Sequence, residues 1–399
     1  MKIVARSAVF LALIAAILSF AKFENCRSNG WAAPGNYIHA CYSDLPALFG
    51  ERALNNHTWP YSSTENAVEY PPLTGLVMWG TSFLVGDSGN KYRSYFDINA
   101  ILIALLFIAS VVLLKKLKPE LWYLLPVAPA VVASLYINWD IWAVISSLAA
   151  IYFFDVGKFR ASALLLGISI ATKFFPIVLL LPIALIFIRK AKLRELIQYV
   201  SITFLLWLAI NLPFILTTPT GWFRFFKLNS ERSADWGSIW HALDIFGIKV
   251  SHLNPLSSLL FLTGALAFTL FIFGITKVPS LASVAFFIVA IFVTASKVYS
   301  PQYVLWLTPL AILAMIDKRD RFDFWIWQGA ELIYHFAIWQ YLAGISGAKF
   351  AIPAGAYAFA ILLRIGALTW FSLRLMRRST PSFGPQNLEF LSNAGQGYP

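Results

Sequence analysis

Asp44 is the first residue whose surroundings could do chemistry: an acid in a long polar stretch directly after the first apolar segment. The stretch reads Cys41-Tyr42-Ser43-Asp44-Leu45, then Trp59-Pro60-Tyr61, then Glu69-Tyr70-Pro71-Pro72-Leu73, where the chain turns back into apolar sequence. A carboxylate partly desolvated among aromatic rings can serve as general base toward a hydroxyl nucleophile. The rings suit a membrane–water interface, each having an apolar body and a polar tip, and they equally suit stacking on a sugar. The plain alternative is a solvated loop acid, and Glu51, Glu65 and Glu69 compete for the same role. A second acid follows in Asn138-Trp139-Asp140. It reads either as a residue that starts the next helix or as a support for Asp44 that orients substrate.

Cations supply the other half of the chemistry. Lys173 interrupts the apolar run Ala171-Thr172-Lys173-Phe174-Phe175-Pro176. A lysine in hydrocarbon costs about 3 kcal/mol on insertion scales, so such residues face a cavity or an interface. Lys173 therefore either snorkels to head groups or meets a phosphate. The segment from Ser296 to Tyr303 breaks two apolar runs with Lys297, Tyr299, Pro301, Gln302 and Tyr303. Lys297 can contact a phosphate as a point charge, with Tyr299 and Gln302 as further donors; an ordinary interhelical turn is the alternative. The stretch 216–255 holds Arg224, Lys227, Arg232 and His241 among Trp222, Trp236 and Trp240. These fit either an anionic ligand or bound lipid. His335, in the middle of an apolar segment, reads as a core histidine bonded to a neighbour.

The elements that position these residues are set by composition. Of 399 residues, 59% are hydrophobic and 13% charged, and the mean hydropathy is +0.69. Soluble domains carry about 25% charged residues, so the chain reads as an all-α, polytopic membrane protein. The net charge of +12 does not form a stripe for nucleic acid, since the basic residues sit in short clusters between apolar runs. A span needs about 20 apolar residues. The candidates are 7–23, 97–114, 120–137, 140–157, 161–172, 174–188, 196–215, 256–275, 278–295, 302–316, 324–343 and 351–376.

Holding every basic cluster inside requires that 71–86 lie flat as a juxtamembrane helix and that 161–188 be a hairpin turning at Lys173. This threading has twelve spans with both termini cytoplasmic. It divides the chain into a transmembrane domain over 1–376 and a disordered cytoplasmic tail over 377–399, rich in Ser, Gly, Asn and Pro. The domain's large extracytoplasmic loops are 24–96 and 216–255. The alternative threading, with 71–86 as a true span, moves Lys115–Lys118 and Lys158 outside. The N-terminal segment reads as an uncleaved first span. Cys26 and Cys41, the only cysteines, share the first loop and form either a disulfide or two free thiols; an extracytoplasmic loop favours the bridge.

The first-loop acid, Tyr70-Pro71-Pro72-Leu73, Asn138-x-Asp140 and Lys173-x-x-Pro176 together form a set over residues 1–316. In that set the chain resembles the membrane-embedded GT-C glycosyltransferases, and within them the polyprenol-phosphate-mannose-dependent alpha-mannosyltransferases of glycosyltransferase family 87. The resemblance implies a GT-C-like bundle in a bacterial plasma membrane with an extracytoplasmic active site. It also implies a polyprenyl-phosphate sugar donor, most readily mannose, a glycolipid or glycan acceptor, and no metal or other cofactor. Asp44 corresponds to the family's base and Asp140 to a supporting acid. Lys173 and Lys297 match positions near the donor phosphate, joined in this reading by Arg232, Tyr299, Gln302, His241 and Tyr70.

Two rival readings remain. A transporter or flippase for a lipid-linked or small anionic substrate fits the span number, although the halves show no internal repeat. A non-catalytic subunit of envelope assembly is the other. The motifs GxxxxGK[ST], HExxH and CxxC are absent, which excludes a pump that hydrolyses nucleotide itself.

Overall fold

The computed structural model describes residues 2–63 and 65–379. Among them every regular element is helical. The principal helices are α1 (Lys2–Lys22), α2 (Asp44–Glu51), α3 (Pro72–Ser82), α4 (Lys91–Leu117), α5 (Asp140–Asp155), α6 (Phe159–Thr172), α7 (Leu180–Arg189) and α8 (Leu193–Thr217). They continue with α9 (Pro219–Glu231), α10 (Ile239–Ile245), α11 (Leu253–Gly274), α12 (Leu281–Ala295), α13 (Val304–Ala314), α14 (Arg321–Ile345) and α15 (Ala354–Ser379). By length and composition α4, α8, α11 and α15 can each cross a membrane; α6, α12 and α13 are apolar but shorter.

The bundle packs as neighbours in sequence and across it: α5 on α6, α6 on α8, α14 on α15, α1 on α4. The outer helices α8 and α11 turn large apolar side chains outward, among them Leu205, Leu216, Leu259, Leu262, Leu266 and Leu270. Water would penalise each by about 1.5–3 kcal/mol relative to burial, whereas lipid does not. That surface is what an integral membrane protein presents.

Local sequence explains where the helices begin and break. Asn90 caps α4 by accepting from the Arg93 N–H at 3.1 Å, and Lys115 and Lys116 lie in its last turn, where they complement the helix dipole. The run 120–137 is not one span. Pro126 and Pro129 divide it into short helices, Leu124–Val127 and Pro129–Ser134, because proline lacks the amide donor and crowds the preceding turn. The stretch 161–188 does break at Lys173, whose backbone is extended (φ −142°, ψ 138°). A 3₁₀ segment, Phe175–Leu179, then leads into α7. The last helix reaches Ser379, so the first three residues of the tail expected over 377–399 are helical, and the rest of it lies outside the described residues.

Basic residues tie helix ends together. Lys115 donates to Ser7 at 2.7 Å, Lys118 to the Met315 carbonyl at 2.6 Å, and Arg321 to Tyr123 at 2.9 Å. Arg189 bonds the Ile275 carbonyl just beyond α11 at 2.8 Å, and Arg378 pairs with Asp320. Asp44 and Lys173 take no part in these contacts. Cys26 and Cys41 are joined in a disulfide that ties the segment after α1 to the approach to Asp44.

Candidate active site

The aspartate is placed by its backbone. Ser43 caps α2, accepting from the Leu45 N–H at 3.2 Å, while its own hydroxyl donates to the Tyr136 carbonyl at 2.7 Å. The Asp44 N–H donates to the Ile137 carbonyl at 2.7 Å. These bonds bring the first loop against residues 136–138, so that Asp44 and Asn138 face each other.

A cavity of about 500 Å³ opens on this pair. Asp44 Oδ2 accepts from Asn138 Nδ2 at 3.1 Å and from the Tyr70 hydroxyl at 3.3 Å. Asn138 Oδ1 in turn accepts from Lys173 at 3.2 Å, and the same ammonium lies 3.1 Å from Asp140 Oδ1 and 4.4 Å from the Tyr70 ring centroid. Burial raises the Asp44 carboxyl to about 6, and the bonds from Tyr42 and Asn138 and the charge of Lys173 only partly oppose that rise. An acid so poised is ionised near neutrality yet basic enough to take a hydroxyl proton as that bond breaks. Tyr37, Tyr42 and Trp339 stack on the same cavity, with Tyr42 and Trp339 centroids 5.3 Å apart.

Asp140 is fully buried and does not line the Asp44 cavity. It starts α5, holds Lys173, and accepts from Trp306 Nε1 at 2.9 Å. Gln302 and Arg232 both line the Asp44 cavity, Arg232 being paired to Asp235 at 3.1 Å.

Three expected residues lie outside the Asp44 cavity, Lys297 on the wall of a neighbouring one. Lys297 donates to the Arg232 carbonyl at 2.8 Å and to the Asn254 side-chain oxygen, and approaches the Ser230 carbonyl at 3.4 Å. An ammonium has three donors, and all three are engaged in fastening the 230–254 loop. Tyr299 points away from the cavity into the interior, donating to Glu331 at 2.7 Å beneath the guanidinium of Arg364. His241 lines a neighbouring outer cavity of about 980 Å³, where burial lowers its basicity. His335 is a buried core residue, with Ser134 at 3.1 Å and Lys22 at 3.0 Å.

Further side chains line or back the site, and of these Asp235, Trp339, Glu331 and Arg364 were not singled out by the sequence. Asp235, Trp236 and Trp339 complete the Asp44 cavity, and Glu69 joins its wall while held by Arg52 at 2.7 and 2.9 Å. The fully buried Glu331 and Arg364 lie behind it. Both are charges inside otherwise apolar helices, the signal that drew attention to Lys173. A third cavity, of about 530 Å³, shares Lys173, Asn229 and Tyr303 with the first and is walled by Phe174, Phe226, Phe292 and Trp306. Among the described residues no group of three or more His, Cys, Asp or Glu is placed to hold a metal ion.

Neither a protein-family model nor a curated protein matches the chain. What stands is an all-α bundle with several long apolar helices and a polar cavity onto which Asp44 opens.

Proposed function

We propose that this chain is an integral membrane glycosyltransferase. It moves a sugar, mannose in the family it resembles, from a polyprenyl-phosphate donor to a glycolipid or glycan acceptor on the extracytoplasmic face. The shorter apolar helices complete the membrane-embedded bundle in this reading. One observation carries it: an ionisable acid and an ammonium share a cavity that adjoins an aromatic-walled groove.

The groove suits the first isoprene units of a lipid tail, leaving the donor phosphate beside Lys173 and the sugar inside the Asp44 cavity. Asp44 accepts the proton of an acceptor hydroxyl as that oxygen bonds the anomeric carbon. The anomeric carbon–oxygen bond to phosphate breaks on the opposite face, and its electron pair leaves with the polyprenyl phosphate, inverting the centre. Charge grows on that phosphate as the bond lengthens, so a fixed cation stabilises the transition state more than the bound donor. Lys173 supplies it, with Arg232 on the same cavity wall.

The test is incubation of the purified chain with radiolabelled polyprenyl-phosphate sugars and candidate glycolipid acceptors, in parallel with Asp44→Asn. Transfer by the native chain and its loss by about a thousandfold in the folded variant is the expected result. Undiminished transfer by Asp44→Asn removes the proposed base, and no turnover of any lipid-linked sugar removes the reading.

A further inference from the structure

We infer that the outer cavity is a binding site for the glycan of the acceptor, taking more than one sugar ring and using Trp236 as a stacking platform where it meets the Asp44 cavity. The inference rests on the transfer reading above and names the chemical class of its acceptor.

Size and continuity come first. The outer cavity, about 980 Å³, is roughly twice the inner one of about 500 Å³, and Arg232, Asp235 and Trp236 line both. A ligand spanning the two passes over this shared wall. Cavities of a few hundred Å³ already hold small ligands, so the outer one has room for a chain of rings whose last ring enters beside Asp44.

Charge separates a glycan from a phosphate. The outer lining carries three carboxylates, Glu231, Asp235 and Asp244, against two cations, Arg232 and Lys249. An anion gains little there, whereas sugar hydroxyls both donate to carboxylates and accept from cations. His241 also lines this wall, its Nε2 buried without a hydrogen-bond partner in the protein.

The platform is built rather than loose. Trp236 keeps 39% of its surface exposed, which leaves the indole available for stacking. Its carbonyl accepts from Tyr357, the next carbonyl, Gly237, accepts from Arg364 at 2.7 Å, and the Asp235 N–H donates to the Lys297 carbonyl at 2.8 Å. His241 meets the indole edge-on at 5.1 Å. A fixed aromatic surface surrenders little conformational freedom when a ring stacks on it.

Binding can be read without turnover, by saturation-transfer NMR titration of the full chain in detergent. The probes are α-linked mono-, di- and trisaccharides of mannose, glucose and galactose. At least one series should bind more tightly as it lengthens. That binding should weaken about tenfold in Trp236→Ala and recover in Trp236→Phe, which keeps a ring. No binding by any series, affinity independent of length, or a Trp236→Ala chain that binds the trisaccharide like the native one overturns the inference. Donor turnover, assayed on the same preparation, independently decides the transfer reading.

Discussion

Around Asp44, an acid, an amide, a tyrosine and Lys173 meet at the wall of a cavity; around Glu331, an acid, tyrosines and Arg364 meet where no space is left. In the closed cluster Tyr299, Glu331, Tyr334, Tyr357 and Arg364 all have 2% of their surface or less exposed. Arg364 sits between the Tyr299 and Tyr334 rings, 3.5 and 3.4 Å from their centroids, with Glu331 at 3.6 Å. The ingredients are nearly the same, and what differs is access. The closed cluster holds up the Asp235–Gly237 strap from behind; the open one presents an acid to whatever enters. Residue type alone therefore does not mark a reactive site, and an adjoining space does.

Substitutions can break this contrast. Asp44→Asn is expected to give the largest effect on turnover, about 4 kcal/mol in the barrier, with thermal unfolding in detergent little changed. Equal destabilisation by Asp44→Asn and Arg364→Met would erase the distinction. Arg364→Met should cost about 3–5 kcal/mol of stability, because it leaves Glu331 buried without its cation. Adding Glu331→Gln should restore part of that, measured as a double-mutant cycle.

Acidity sharpens the same comparison. With Asp44 near 6, kcat/KM should fall tenfold per pH unit below that value, since only the ionised acid accepts a proton. Stability runs the other way. The folded chain holds the Asp44 proton more tightly than the unfolded one, so this group's contribution is greatest below 3.8 and is lost as pH rises through about 6. Asp44→Asn should remove that slope from a pH series of unfolding midpoints. The smallest effect belongs to Lys297→Gln, about 1 kcal/mol of stability from weakened loop bonds, with the KM for donor unchanged. A large rise in that KM would return Lys297 to the phosphate.

Much of the open cluster was legible because its members stand out locally. Asp44, Tyr70 and Lys173 are polar residues set against apolar or proline-rich sequence, and the break at Lys173 was readable from the basic clusters on either side of 161–188. The run Ser296–Tyr303 was harder. Its residues are adjacent in sequence, yet the turn at Pro301–Tyr303 and the extended backbone before it send them three ways: Lys297 to the loop, Tyr299 inward, Gln302 to the cavity. One strand's worth of neighbours cannot reveal such divergence, because it depends on which distant helix lies behind each side chain. The span expected over 120–137 failed for a plainer reason, two prolines three residues apart. The clamp of Arg364 on Gly237 could not be read at all. It joins residues 127 positions apart, and a β-carbon at Gly237 would collide with the Tyr299 carbonyl and the Tyr334 hydroxyl.

The attachment of Ser43 and Asp44 to the carbonyls of Tyr136 and Ile137 has a mechanical consequence. Acid and amide are riveted to one frame, so a breathing motion of the first loop carries both and leaves their spacing intact. Bulky ligands can then enter and leave along the opposite wall without changing the spacing of acid and amide.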